Sequence, residues 1–148
     1  MSMKQIFLCG ILCLAPAGLL QAEPMRDVVS MVNKLRAENG LHALNVSPQL
    51  EKAADLHASD MARRGVLTHT GSNGSTPAKR AKRAGYKFCT VAENVAAGQL
   101  SSAEVMQAWA NSPGHRKNML KPKARDIAVV RGPNNNWVMM LAAKRGTC

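Results

Sequence analysis

Three side chains able to bind a metal ion or transfer a proton stand where regular structure is expected to break. His69 lies in the segment 67–71, Glu93 precedes Asn94, and His115 follows a Pro-Gly pair. Catalytic and binding residues are often carried on loops that a rigid scaffold positions. Two imidazoles and one carboxylate form a ligand set for a divalent ion of the zinc type, with positions left open for water or a ligand. The sequence therefore predicts a cleft in which His69, Glu93 and His115 meet.

The same three residues support more than one chemistry. A bound divalent ion can acidify a water molecule, so a metal-dependent hydrolase with Glu93 as third ligand or general base is one alternative. The chain has no His-Glu-x-x-His motif, which favours binding without catalysis. In a purely structural alternative, Glu93 accepts hydrogen bonds from the loop before His115, and the histidines pair with it to fix the sheet against the helices. A buried carboxylate needs such partners, because its isolated burial is costly.

Hydrophobic spacing and capping signals predict four helices and three strands. The helices are expected over residues 25–39, 47–65, 76–85 and 101–113. The strands are expected over residues 86–96, 126–131 and 137–143, the last two as a hairpin across 132–136. An irregularity is expected in the first strand at Glu93-Asn94. Helices that come first and strands that come last indicate a layered α+β domain.

The first 22 residues have the composition of a secretory signal peptide. A basic start is followed by an apolar stretch that glycine and proline interrupt, and by a small residue at Ala22. The stretch is too short for a membrane span, and no later segment is apolar enough to cross a bilayer. We therefore expect a secreted or periplasmic monomer whose single compact domain covers residues 25–148.

The cysteines also point to an exported protein. Cleavage of the signal would remove Cys9 and Cys13 and leave Cys89 and Cys148. An even pair of cysteines in an exported chain indicates a disulfide between them. A reactive thiol at Cys89, partnered by a histidine, is the alternative, although no nucleophile motif surrounds this residue.

The chain is strongly basic, with a net charge of +11, and +10 once Lys4 is removed with the signal. Such a charge attracts anionic surfaces, whether lipid headgroups, acidic wall polymers or nucleic acid. Part of it lies in one run formed by Lys79, Arg80, Lys82 and Arg83. We interpret this run as a solvated face, and a basic module that binds the cell envelope is the alternative. Aromatic residues for base stacking are missing near the run, so no specific nucleic-acid partner is expected.

Four motifs in order resemble those of one protein family. They are Asn33-Lys34-Leu35-Arg36, Leu67-Thr68-His69, Ala92-Glu93-Asn94-Val95-Ala96 and the run from Ser112 to Leu120. The pattern is similar to the CAP superfamily of cysteine-rich secretory proteins, insect antigen five and plant pathogenesis-related proteins. It is most similar to the short bacterial secreted members, and the resemblance covers residues 28–144. It implies a three-layer α-β-α sandwich with about four helices and a small antiparallel sheet.

The resemblance also implies a ligand cleft, which in this family usually holds two histidines and two acidic residues. The matching positions here are His69, Glu93 and His115, with Asn94 beside them, and Ser112 occupies the position of the second acid. A hydroxyl in place of a carboxylate lowers the expected affinity for zinc or another divalent ion. The family pattern implies a non-catalytic binding protein of the cell envelope or extracellular space, whose ligand is a small molecule, a lipid or a divalent ion.

Other polar and aromatic residues are expected to have structural roles. His42 and His57 are predicted to cap or decorate the first two helices, and Asn118 to satisfy backbone groups. Trp109 and Trp137 are predicted to anchor the core.

Overall fold

A sheet with three long strands forms the centre of the domain, and helices cover both of its faces. The computed structural model describes residues 23–148, so the predicted signal peptide lies outside the described residues. The elements in chain order are β1 Glu23–Pro24, α1 Arg26–Glu38, β2 Asn45–Val46, α2 Pro48–Arg64, α3 Pro77–Arg83, β3 Phe88–Ala97, α4 Ser102–Asn111, α5 Pro113–Met119, β4 Asp126–Gly132 and β5 Asn136–Lys144. A 3₁₀ turn at Pro133–Asn135 joins β4 to β5.

The three long strands pair antiparallel, as the sequence predicts, and two short strands extend the sheet. The strand order is β1-β4-β5-β3, with β2 beside β4. Because β2 runs parallel to β4, the sheet is mixed rather than antiparallel throughout. The long strand β3 forms one edge of this sheet.

Successive side chains of the central strands alternate between two hydrophobic cores, as a sheet covered on both faces requires. On β5, Trp137, Met139 and Leu141 pack into a core with α1 and α4, which we call the first core. Val138 and Met140 pack into the second core, with α2 and α3. All five side chains are fully buried. The two cores give the α-β-α sandwich that the sequence predicts.

Capping residues begin the helices where the sequence predicts them. The hydroxyls of Ser47, Thr76 and Ser101 each accept a hydrogen bond from the backbone N–H three residues later, at 3.4, 3.3 and 3.2 Å. Gly65 ends α2 in the left-handed conformation, with φ of 64°. These are the local signals by which helix ends satisfy their unpaired backbone groups.

The predicted fourth helix is present as α4, but a fifth helix that the sequence did not predict follows it. α4 ends at Asn111, and α5 begins at Pro113, where the sequence indicated only a stop. Proline cannot continue a helix, but it is favoured in the first turn of a new one, because no hydrogen bond is lost there. The described part of the chain therefore has five helices, and none of them is long and apolar enough to cross a bilayer.

The predicted irregularity at Glu93-Asn94 is wrong. β3 pairs with β5 without a break from Thr90 onward, and the register shifts only between Phe88 and Thr90. Polar residues within this strand are tolerated because contacts outside the sheet satisfy them, so no kink is needed to expose them.

A disulfide fixes the end of the chain to the edge strand. Cys89 on β3 is bonded to Cys148, 59 positions later. This confirms the predicted bridge and excludes the alternative of a free thiol at Cys89.

Candidate functional site

Glu93 and Asn94 lie within the edge strand β3 and point to opposite faces of the sheet. Glu93 is paired with Met140, which belongs to the second core, and Asn94 with Met139, which belongs to the first. Glu93 therefore faces the layer of α2 and α3, and Asn94 faces the layer of α4 and α5. One edge of the sheet thus presents polar groups to both helical layers.

The carboxylate of Glu93 is buried and surrounded by nitrogen atoms. Its Oε1 lies 2.9 Å from Nδ1 of His69, and its Oε2 accepts a hydrogen bond from Nη2 of Arg80 at 2.6 Å. Nε2 of His57 is 3.8 Å from Oε1. The side chain is 1% exposed. Such burial of a carboxylate requires charged and hydrogen-bonded partners, and both oxygens have one.

The prediction that Arg80 belongs to a solvated basic face is wrong. Its side chain is 6% exposed, and its guanidinium also donates to the carbonyls of Ser75 at 2.8 Å and His69 at 3.1 Å. Arg80 and Ala81 form the buried side of the short helix α3. The rest of the predicted run is exposed: Lys79, Lys82 and Arg83. Arg80 therefore belongs to the site, where it neutralises the buried carboxylate.

The prediction that His57 decorates α2 is also wrong, because its ring is fully buried beside Glu93. Nε2 of His57 donates to the carbonyl of Thr68 at 2.7 Å. Burial lowers the pKa of His57, and the attraction of Glu93 opposes this without reversing it, so the ring is neutral at pH 7. The sequence held a signal for this position: His57 follows the buried Ala54 by three residues and precedes the buried Met61 by four.

His69 is fixed through one ring nitrogen while much of its ring is accessible. The hydrogen bond to Glu93 raises the pKa of His69, against the lowering effect of its partial burial. The side chain is 54% exposed. Because Nδ1 faces Glu93, Nε2 is the ring nitrogen available to a ligand.

Helix α5 brings His115 to the same region from the other helical layer. Partial burial lowers the pKa of His115, and the nearby charge of His69 lowers it further. Asn94 Nδ2 donates to the carbonyl of His115 at 3.1 Å. Asn118 Nδ2 donates to Asn94 Oδ1 at 2.9 Å and to the carbonyl of Glu93 at 3.2 Å. These bonds confirm that Asn118 satisfies backbone groups, and they fix α5 to the edge strand.

Two other candidate residues make their contacts elsewhere. Ser112 lies between α4 and α5, and its backbone bonds to Trp109 and Arg116 while its hydroxyl makes no capping hydrogen bond. His42 follows α1, and its Nε2 is 2.7 Å from the carbonyl of Ala124. His42 therefore links the loop after α1 to the start of β4, outside the cluster around Glu93.

The donors present limit how a metal ion would fit. Within residues 23–148, no group of three or more His, Cys, Asp or Glu side chains is placed to hold one ion. Both oxygens of Glu93 are occupied by His69 and Arg80, and the positive charge of Arg80 opposes a cation beside them. The side chains that suit a divalent ion are the imidazoles of His69 and His115. Glu93 stands behind His69, as carboxylates do that orient a ligating histidine.

Comparisons with known proteins agree with this architecture. A sequence model of the CAP (Cysteine-rich secretory protein) family matches residues 29–141. The protein YkwD of Bacillus subtilis is 36% identical over 104 residues, which cover 70% of this chain and 40% of YkwD. An extracellular protein containing a SCP domain from Bacillus anthracis has a TM-score of 0.77 at 26% identity, over 81% of this chain and 40% of that chain. An outer surface protein from Borrelia burgdorferi shares the fold, with a TM-score of 0.73 at 23% identity over 84% and 99% of the two chains.

Both the family match and the fold therefore lead to one assignment. The chain spans about 40% of the length of YkwD and of the Bacillus anthracis chain. The match over residues 29–141 includes every residue of the cluster around Glu93. The chain belongs to the cysteine-rich secretory protein (CAP) family.

Proposed function

We propose that this protein acts outside the cytoplasm as a non-catalytic binding domain, and that His69 and His115 bind a divalent ion of the zinc type. The observation that carries the proposal is the hydrogen bond between Glu93 and Nδ1 of His69, together with the exposure of that ring. A carboxylate behind an imidazole fixes its orientation and raises its basicity as a ligand. With two protein ligands, the remaining positions are open to water or to a small molecule.

The location outside the cytoplasm is supported by two observations. The structurally similar proteins from Bacillus anthracis and Borrelia burgdorferi are described as an extracellular and an outer surface protein. The bridge between Cys89 and Cys148 suits an oxidising compartment, since such bonds are rare in the cytosol.

The geometry of Glu93 favours binding over hydrolysis. A general base must reach the water that it deprotonates, within about 3 Å or through one further water. The carboxylate of Glu93 is 1% exposed, and both of its oxygens already pair with His69 and Arg80. Glu93 therefore serves to position His69 in this proposal and takes no proton from water.

Calorimetric titration of zinc into the protein tests the proposal. We expect the binding heat to disappear in the double variant His69→Ala/His115→Ala and to persist in His42→Ala, which removes an imidazole outside the cluster. Glu93→Gln should weaken binding about 10- to 100-fold, the usual effect of losing a group that orients a ligating histidine. Equal heats for wild type and the double variant would refute the metal site.

A further inference from the structure

A cavity lies beside the cluster around Glu93, between α2, residues 71–75 and α3. Its volume is about 270 Å³, and its lining includes His57 and Arg80 but not His69, Glu93 or His115. We call it the α2–α3 cavity. The residues of its lining that carry the argument are Lys52, His57, Asp60, Arg63, Arg80 and Arg83. The cavity is therefore separate from the proposed metal site, although both depend on Arg80.

Two side chains of this lining each carry a buried nitrogen atom that has no hydrogen-bond partner among residues 23–148: Nδ1 of His57 and Nε of Arg80. His57 is 1% exposed and Arg80 is 7% exposed. Since Nε2 of His57 donates to the carbonyl of Thr68, Nδ1 of the neutral ring is an acceptor. Nε of Arg80 is always a donor. Unpaired buried groups of this kind are costly, and a ligand or water that satisfies both is favoured.

The charge around the cavity favours an anion. Lys52, Arg63 and Arg83 are exposed and carry three positive charges, whereas the charge of Arg80 is balanced by Glu93. Asp60 is the one carboxylate in the lining. It accepts hydrogen bonds from the backbone N–H of Ser72 at 2.8 Å and from its hydroxyl at 2.6 Å, and it pairs with Arg63 and Arg64. These partners satisfy Asp60, so its charge opposes an anion little.

We propose that the α2–α3 cavity binds hydrogen phosphate in the form of free inorganic phosphate. Hydrogen phosphate carries an O–H group, which can donate to Nδ1 of His57, and charged oxygens, which can accept from Nε of Arg80. Sulfate has the same tetrahedral shape but carries no proton at neutral pH. It would leave the acceptor of His57 unpaired, and a site built for a hydroxyl group discriminates against ligands that lack one.

Histidine ¹⁵N NMR on the intact protein tests this assignment with three probes: inorganic phosphate, sulfate and glycerol phosphate. Phosphate should shift the Nδ1 resonance of His57 in a saturable way and bind at least about tenfold more tightly than sulfate. The phosphate group of glycerol phosphate is mostly deprotonated above pH 7 and cannot donate to His57, so it should bind no more tightly than sulfate. Binding as tight as that of inorganic phosphate would contradict the hydrogen bond to Nδ1 of His57. Equal affinities for phosphate and sulfate, or an unmoved resonance at tens of millimolar phosphate, would overturn the proposal.

Two variants of neighbouring residues in α3, each of which removes one positive charge, distinguish binding in the cavity from a general attraction of anions to the basic surface. Arg83 lines the cavity and Lys82 does not, although both are exposed. Arg83→Gln should weaken phosphate binding about three- to fivefold, while Lys82→Gln should leave it nearly unchanged. Equal weakening by both would contradict a defined site. Neither substitution changes Glu93 or the imidazoles of the proposed metal site. The zinc titration therefore tests the metal site independently of the phosphate measurements.

Discussion

The ion pair between Glu93 and Arg80 offers the sharpest test of the site geometry. Glu93→Gln keeps the shape of the side chain and one accepting oxygen, but removes the negative charge. Breaking a buried ion pair by removing one partner costs about 3–5 kcal/mol, because the remaining charge stays buried. We expect a loss near the lower end, about 3 kcal/mol, since the guanidinium of Arg80 still donates to the carbonyls of Ser75 and His69.

The same substitution changes the titration of His69. The hydrogen bond that Nδ1 of His69 donates to Glu93 raises the pKa of His69 in the folded protein, so Glu93→Gln should lower this pKa. A raised histidine pKa contributes stability that is fully present below the unfolded value of about 6.5 and lost as the pH rises through the folded value. The destabilisation by Glu93→Gln should therefore be larger at about pH 5.5 than at about pH 8. This pH-dependent part is small, because the His69 ring is half exposed.

Urea denaturation followed by the fluorescence of the buried Trp109 and Trp137 measures the stability change, and proton NMR measures the pKa of His69. Glu38→Gln, on the exposed face of α1, is the matched control and should change stability by less than about 0.5 kcal/mol. A stability loss from Glu93→Gln as small as that of this control would refute the buried ion pair between Glu93 and Arg80. An unchanged pKa of His69 would refute the hydrogen bond between His69 and Glu93.

Two further predictions concern packing and covalent structure. Gly132→Ala should lower the free energy of unfolding by about 1–3 kcal/mol, because a Cβ there would lie 2.8 Å from Cβ of Ala58. The control Gly114→Ala places its Cβ with no atom within 4 Å and should be nearly neutral. Similar losses of stability in both variants would contradict the close contact of α2 with β4. The double variant Cys89→Ser/Cys148→Ser should lose up to about 4 kcal/mol, because the bridge closes a loop of 59 positions, and an unchanged melting temperature in that variant would contradict the bridge's contribution.

Local signals in the sequence predicted most helix ends, because each depends on residues within one turn. The hydroxyl caps at Ser47, Thr76 and Ser101 are all used. Pro113 was ambiguous, since the same residue ends one helix and begins the next. The short strands β1 and β2 could not be predicted, because two residues carry no periodicity and pair only through the tertiary fold.

The composition of the site was predicted in part. The pairing of His69 with Glu93 was expected, but His57 and Arg80 were assigned to helix surfaces. Both belong to residue types that are seldom buried alone, and their burial is explained only by the carboxylate on a distant strand. A helix pattern shows which face is inward, but it does not show that the inward face meets a charge. For His57 the spacing on α2 was sufficient to suggest burial, and for Arg80 on the two-turn helix α3 it was not.

The position of Glu93-Asn94 on an edge strand explains how residues from separate layers reach one place. Adjacent residues of a strand point to opposite faces, so Glu93 binds Arg80 of the α3 layer while Asn94 holds α5 through the carbonyl of His115. In a central strand, neighbouring strands would separate the two layers, whereas at the edge His69 and His115 can approach around β3. A shift of β3 by one residue would exchange the two side chains between faces and leave a carboxylate against the first core. The dipeptide thus specifies both the strand register and the site.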